Sequence, residues 1–154
     1  MQDIASHIKG SHKLADIFGY WPSFHDAEVL DLHFWRGDVD PSQKRYIFPV
    51  LTVKICVWEL TNKTDDRGCI ILRNHTLTTL QFHDVEEFHL DGFNHQNALL
   101  ELSIDQQQRA DSASQLFAVR FHPAFGMGAS FKCTRIEVVD AVRYQKMNRH
   151  LTQQ

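Results

Sequence analysis

The chain has 154 residues, of which 43% are apolar and 23% charged. At roughly 100–200 residues per domain this predicts one domain spanning 1–154, and the balance excludes a disordered or collagen-like chain. Sixteen basic against nineteen acidic residues leave a net charge of −3, which argues against a nucleic-acid partner.

Helical spacing is confined to residues 3–19. Ile4 and Ile8 share one face, and Leu14, Ile17 and Phe18 another. Gly10 is expected to end a first helix, Ser11 to cap a second, and Gly19 with Pro22 to stop it. From residue 26 to 143 the period changes to two. Leu30, Leu32 and Phe34 alternate with polar residues over Glu28–Arg36, as do Leu51, Val53, Ile55 and Val57 over Val50–Leu60. Further strands are predicted at Thr76–Phe82, Val85–Leu90, Ala98–Ile104 and Leu116–His122. A last strand, Ser130–Val142, changes apolar phase between Phe131/Cys133 and Ile136/Val138, which predicts a bulge near Thr134–Arg135. Polar connections are expected at Gly37–Ser42, Thr61–Gly68 and Asp105–Ser114, with a polar tail at 145–154.

The fold class is therefore α+β: short N-terminal helices packed on a mainly antiparallel, curled or sandwich-like sheet of six or more strands. Two short helices cannot cover so many strands, so the sheet must fold back on itself. No apolar stretch resembles a signal-peptide core or a membrane span, so no membrane partner is expected and the location is expected to be cytoplasmic. Cys56, Cys69 and Cys133, odd in number and widely spaced, are expected to be reduced and mostly buried.

Ten histidines invite a metal site, yet none of their spacings matches a ligand pattern, so neither metal nor cofactor is expected. The run Asp38-Val39-Asp40-Pro41-Ser42 begins like a calcium loop. It has Gln43 where that loop needs glycine and Pro49 where it needs glutamate. Ser23, His25 and Asp26 supply three triad residue types, but in an extended segment Asp26 would point away from His25, and no catalytic residue is assigned.

One short segment recurs. Phe24-His25-Asp26-Ala27-Glu28 returns as Phe82-His83-Asp84-Val85-Glu86, each time before an alternating strand. His25, Asp26, Glu28, His83, Asp84 and Glu86 are thus candidate binding residues, which would converge on a cation or basic partner. The plainer alternative is that each Asp bonds backbone at a strand entry while each Phe packs below. Trp35 and Trp58 fall on the polar phase of their strands. They are expected either to lie under the N-terminal helices or to form a docking patch.

The segments Trp21-Pro22-Ser23-Phe24-His25-Asp26-Ala27-Glu28-Val29, Phe82-His83-Asp84-Val85 with Asp91-Gly92-Phe93-Asn94-His95-Gln96-Asn97, and Ser130-Phe131-Lys132-Cys133 resemble the bacterial immunity protein 50 family over about residues 17–142. The resemblance implies a non-enzymatic protein that neutralises a cognate protein toxin by direct binding, and it carries over no site residue. Asp38, Asp40, Asp65 and Asp66 would offer negative potential to a basic toxin. The competing reading is a small-ligand or metal-binding protein, or an enzyme, built on the two Phe-His-Asp-x-Glu segments. An exposed edge strand leaves a homodimer open.

Overall fold

The computed structural model describes residues 3–108 and 115–144. It opens with a 3-10 turn at Ile4–His7 and one α-helix, α1, at His12–Phe18. The first segment is too short for an α-helix: by Gly10 the backbone has turned left-handed (φ 75°). Lys9 then runs parallel to Glu137, with its N–H on Ile136 O (3.0 Å) and its carbonyl accepting from Val138 N (2.8 Å). A Cβ at Gly10 would stand 2.5 Å from the Val138 carbonyl oxygen, so only glycine fits there. Gly19, left-handed at φ 84°, ends α1 by donating to Ala15 O (2.7 Å). Ser11 precedes α1 without capping it through its side chain.

Ten strands follow among the described residues: β1 Glu28–Trp35, β2 Asp38–Asp40, β3 Arg45–Ile47, β4 Val50–Thr64, β5 Ile70–His83, β6 Glu86–Asp91, β7 Leu99–Gln108, β8 Gln115–Pro123, β9 Gly128–Cys133 and β10 Arg135–Arg143. Their named pairings are all antiparallel. Two four-stranded sheets run in the orders β1-β4-β5-β10 and β6-β9-β8-β7, and β2 with β3 makes a separate two-stranded ribbon.

Alternation places Leu51, Val53, Ile55 and Val57 of β4 in one apolar cluster with Leu80 and Phe82 of β5 and Ile136 and Val138 of β10. The second sheet adds Phe117, Val119 and Phe121 of β8 and Phe131 and Cys133 of β9. The two sheets meet at Phe82, whose ring stands edge-on to Phe131 (4.9 Å, 77°) and to Phe121 (6.1 Å, 72°). Ile8, Leu14 and Phe18 join the same cluster from the N-terminal segment. Burial raises the Cys133 thiol to about 12. Cys56 is buried likewise, while Cys69 is exposed near the β4–β5 turn.

Several strand expectations change in detail. In β1 the register shifts between Val29 and Asp31, so Leu30 turns outward and the buried residue is Val29. The phase jump expected as a bulge at Thr134–Arg135 is a change of sheet: β9 pairs with β8 and β6, Thr134 breaks the strand, and β10 pairs with β5. A bend that moves a chain between packed sheets absorbs the extra residue as a bulge would. The actual bulge of β10 lies between Val138 and Asp140. Polar Asp105–Gln108 extends β7 instead of looping, because Gln106 and Gln107 pair with Phe117 and Leu116 at the sheet edge. Likewise β4 continues through Thr64. The rest of that expected connection, 109–114, and the expected tail at 145–154 lie outside the described residues.

Candidate functional site

The first Phe-His-Asp-x-Glu segment is a turn, not an extended strand. Phe24 and Asp26 are left-handed (φ 61° and 64°), which carries the Asp26 Oδ2 to 3.6 Å from His25 Nε2. The expectation that Asp26 points away from the ring is therefore corrected. No triad results, since the Ser23 hydroxyl accepts from the His25 backbone N–H (3.2 Å). The other ring nitrogen of His25, Nδ1, lies 2.8 Å from Leu100 O and must carry the proton, because a carbonyl only accepts. Asp26 N–H donates to Leu99 O (2.9 Å), and Glu28 Oε1 accepts from Asn97 N (2.8 Å). The segment thus fastens the entry of β1 to the entry of β7, with Phe24 buried beneath.

The second copy lies at the exit of β5. Phe82 is buried and Asp84 is again left-handed (φ 59°), a conformation that Asp tolerates better than most residues. Its carboxylate accepts from the Thr134 hydroxyl, and Val85 N–H donates to Pro49 O (2.9 Å). His83 Nε2 is buried without a hydrogen bond and lies 3.9 Å from Glu137 Oε2. Burial and the neighbouring Arg135 lower the His83 pKa, so the ring is neutral and the short approach to Glu137 is not an ion pair. Glu86 lies on β6 opposite Lys132. The bonds of the first set run to residues 97–100, and those of His83 and Asp84 to the β9–β10 crossing. Among the described residues no three His, Cys, Asp or Glu side chains are grouped to hold a metal.

The two candidate tryptophans, Trp35 and Trp58, differ. Trp58 sits at a register shift of β4 and is half-buried with its ring 5.9 Å from His75. Trp35, at the end of β1, is not covered by the helices: it is 42% exposed. Other apolar side chains of the stretch 34–48 are exposed as well. Phe34, Val39, Tyr46, Ile47 and Phe48 are exposed with it, Tyr46 and Phe48 at 58% and 59%. Phe34 stacks on Phe88 of β6 (4.4 Å, 12°), which anchors one side of this surface to the second sheet.

The ribbon that carries the surface follows from local chemistry. Asp40 Oδ1 accepts from Ser42 N (3.1 Å) and Ser42 Oγ (2.6 Å), closing the turn between β2 and β3 and lowering the Asp40 pKa. Asp38 Oδ1 accepts from Val39 N (2.9 Å). Arg36, Lys44 and Arg45 lie in the same stretch and set positive charge beside these acids. Asp65 likewise serves its own turn, accepting from Arg67 N and Cys69 N (both 2.9 Å). The exposure of Tyr46-Ile47-Phe48 is not among the sequence expectations. Its signal was an apolar run inside a turn-rich connection, without the alternation that would bury it.

A family model described as Immunity protein 50 matches residues 10–144. Comparison with curated proteins and with solved structures gives no match. The matched region takes in both Phe-His-Asp-x-Glu segments, the exposed ribbon and the β9–β10 crossing, and by this match the chain belongs to the immunity protein 50 family.

Proposed function

We propose that this protein is a non-enzymatic immunity protein that neutralises one cognate bacterial toxin by stoichiometric binding in the cytoplasm, and that 1–154 acts as one domain. The contact surface lies around the end of β1 and the β2–β3 ribbon, with Val39 and Tyr46, in register on one ribbon face, at its centre and Trp35 and Phe48 beside them in the chain. The observation that carries the reading is the exposure of Trp35 at the end of β1, Tyr46 on β3 and Phe48 just beyond it, since Trp and Tyr dominate binding energies at protein interfaces. The mixed charges around it make a polar rim, as protein interfaces have. Another exposed apolar group, Leu60, Ile70 and Ile71 near the end of the β4–β5 hairpin, lacks aromatic anchors. The bonds of the Phe-His-Asp-x-Glu segments, which tie strand entries and exits to residues 97–100 and to Thr134, support a scaffold role for these residues and give the enzyme reading little to stand on.

The test is co-expression with the product of the adjacent gene, followed by co-purification and rescue of cells that express it. Tyr46→Asp with Phe48→Asp is expected to weaken binding at least 100-fold, by the hot-spot scale of about 2 kcal/mol or more per anchor, while the melting temperature holds. A neighbouring product that neither binds nor is neutralised overturns the proposal. Unchanged binding by the double variant overturns the assignment of the surface.

A further inference from the structure

The outer face of the second sheet carries an unusual row. His89 of β6 pairs in register with Ser130 of β9, Ser130 with Arg120 of β8, and Arg120 with Ser103 of β7. All four strands therefore contribute one polar side chain to a line across the sheet, opposite the buried Phe121 and Phe131. The line crosses the floor of an open groove of about 470 Å³, with Lys132 and His122 beside it.

The charges in this groove are not equally satisfied. Lys132 Nζ is 3.3 Å from Glu87 Oε2, and His122 Nε2 is 3.1 Å from Ser103 Oγ. Among the described residues the Arg120 guanidinium has neither a hydrogen bond nor an ion pair. Its in-register neighbours are both serines, too short to cover it, so the guanidinium stands clear with a hydroxyl on either side. Glu101 and Asp105, two residues either way from Ser103 along β7, lie on its diagonals and bound the site without bonding it. A planar guanidinium flanked by hydroxyls and imidazole nitrogens matches a tetrahedral oxyanion, which it takes in a two-pronged grip that lysine cannot reproduce.

We propose that this groove is a binding site for a small oxyanion of the phosphate or sulfate class, held by Arg120 with Ser103, Ser130 and His89 as supporting partners. It lies on a different sheet face from the ribbon surface and does not depend on toxin binding. The nearby carboxylates keep a free anion weakly held, whereas a nucleotide fills more of the groove.

The experiment is an amide NMR titration of the full chain alone with sodium sulfate, inorganic phosphate and adenosine 5′-monophosphate, against chloride at equal ionic strength. Saturable shifts at Ser103, Arg120 and Ser130 are expected with sulfate and phosphate. Arg120→Gln is expected to weaken them at least tenfold and Arg120→Lys to weaken them less, while Asp105→Asn strengthens them. Tighter binding of the nucleotide than of phosphate identifies a phosphomonoester with an organic body, and equal binding identifies the phosphoryl group alone. Unsaturable shifts, or shifts that persist in Arg120→Gln, overturn the site. Toxin binding is read separately through Tyr46 and Phe48, so failure here leaves that reading standing.

Discussion

The Thr134 hydroxyl donates to the Asp84 carboxylate, and this bond joins the two corners at which the chain leaves one sheet for the other. At Asp84 the chain passes from β5 to β6, and at Thr134 it passes back from β9 to β10. Thr134 N–H also donates to His83 O (3.0 Å), so the corners are tied through backbone and side chain. Thr134→Val keeps the shape and removes the donor, leaving a partly buried carboxylate short of a partner. It is expected to cost about 1–2 kcal/mol, a fall of roughly 3–6 °C in melting temperature by differential scanning calorimetry. Asp84→Ala is expected to cost more, because alanine also bears the left-handed conformation poorly.

Asn97 is buried and satisfies three segments at once. Its Nδ2 donates to Val29 O (3.2 Å) and Asn94 O (2.8 Å), and its Oδ1 accepts from Asn94 N (2.9 Å) and Met127 N (3.2 Å). The Met127 contact is part of a tight approach: a Cβ on Gly126 would stand 2.1 Å from Gln96 O. Asn97→Ala orphans buried groups in β1 and in the loop before β9, and is expected to cost about 3 kcal/mol. Asn97→Asp keeps the acceptor and loses the donors, so its destabilisation in urea should be comparable. A denaturation midpoint unchanged in both variants would contradict this account.

His83 gives an acid-side dependence of stability. Its folded pKa is lowered, first by burial, then by Arg135 and Lys9, with Glu137 and Asp84 opposing. Between that lowered value and the ordinary histidine value of about 6.5, the unfolded chain binds the extra proton and the folded chain does not. The stability is therefore whole above about pH 6.5 and is lost as pH falls through the folded pKa. His83→Gln should flatten the urea midpoint against pH over that acid range relative to the parent. An equal slope in both proteins would refute it.

The strands most legible in sequence were those whose burial follows strict alternation. Leu51, Val53, Ile55 and Val57 announced β4 because a strand between two others buries one face along most of its length. Leu30 misled, because a one-residue register shift has no residue-type signature and turns the next side chain outward. At Thr134 the phase jump was visible, but which sheet takes the strand afterwards depends on β5, fifty residues earlier in the chain. The candidate site divides in the same way. The repeated Phe-His-Asp-x-Glu segments were plain to see, and their shared left-handed Asp was not, since Asp adopts that conformation only where the turn demands it. Trp35 stood out as an aromatic on the polar phase. Its exposure depends on where the N-terminal segment settles, which is a tertiary matter: α1 settles on β10 and the 3-10 turn against β7.

The β2–β3 ribbon makes no ladder with either large sheet. Exchange of the exposed Tyr46, or of Phe48 just beyond it, therefore changes the outer surface without repacking the interior. The surface chemistry of this corner and the soundness of the interior are thus set by separate parts of the polypeptide.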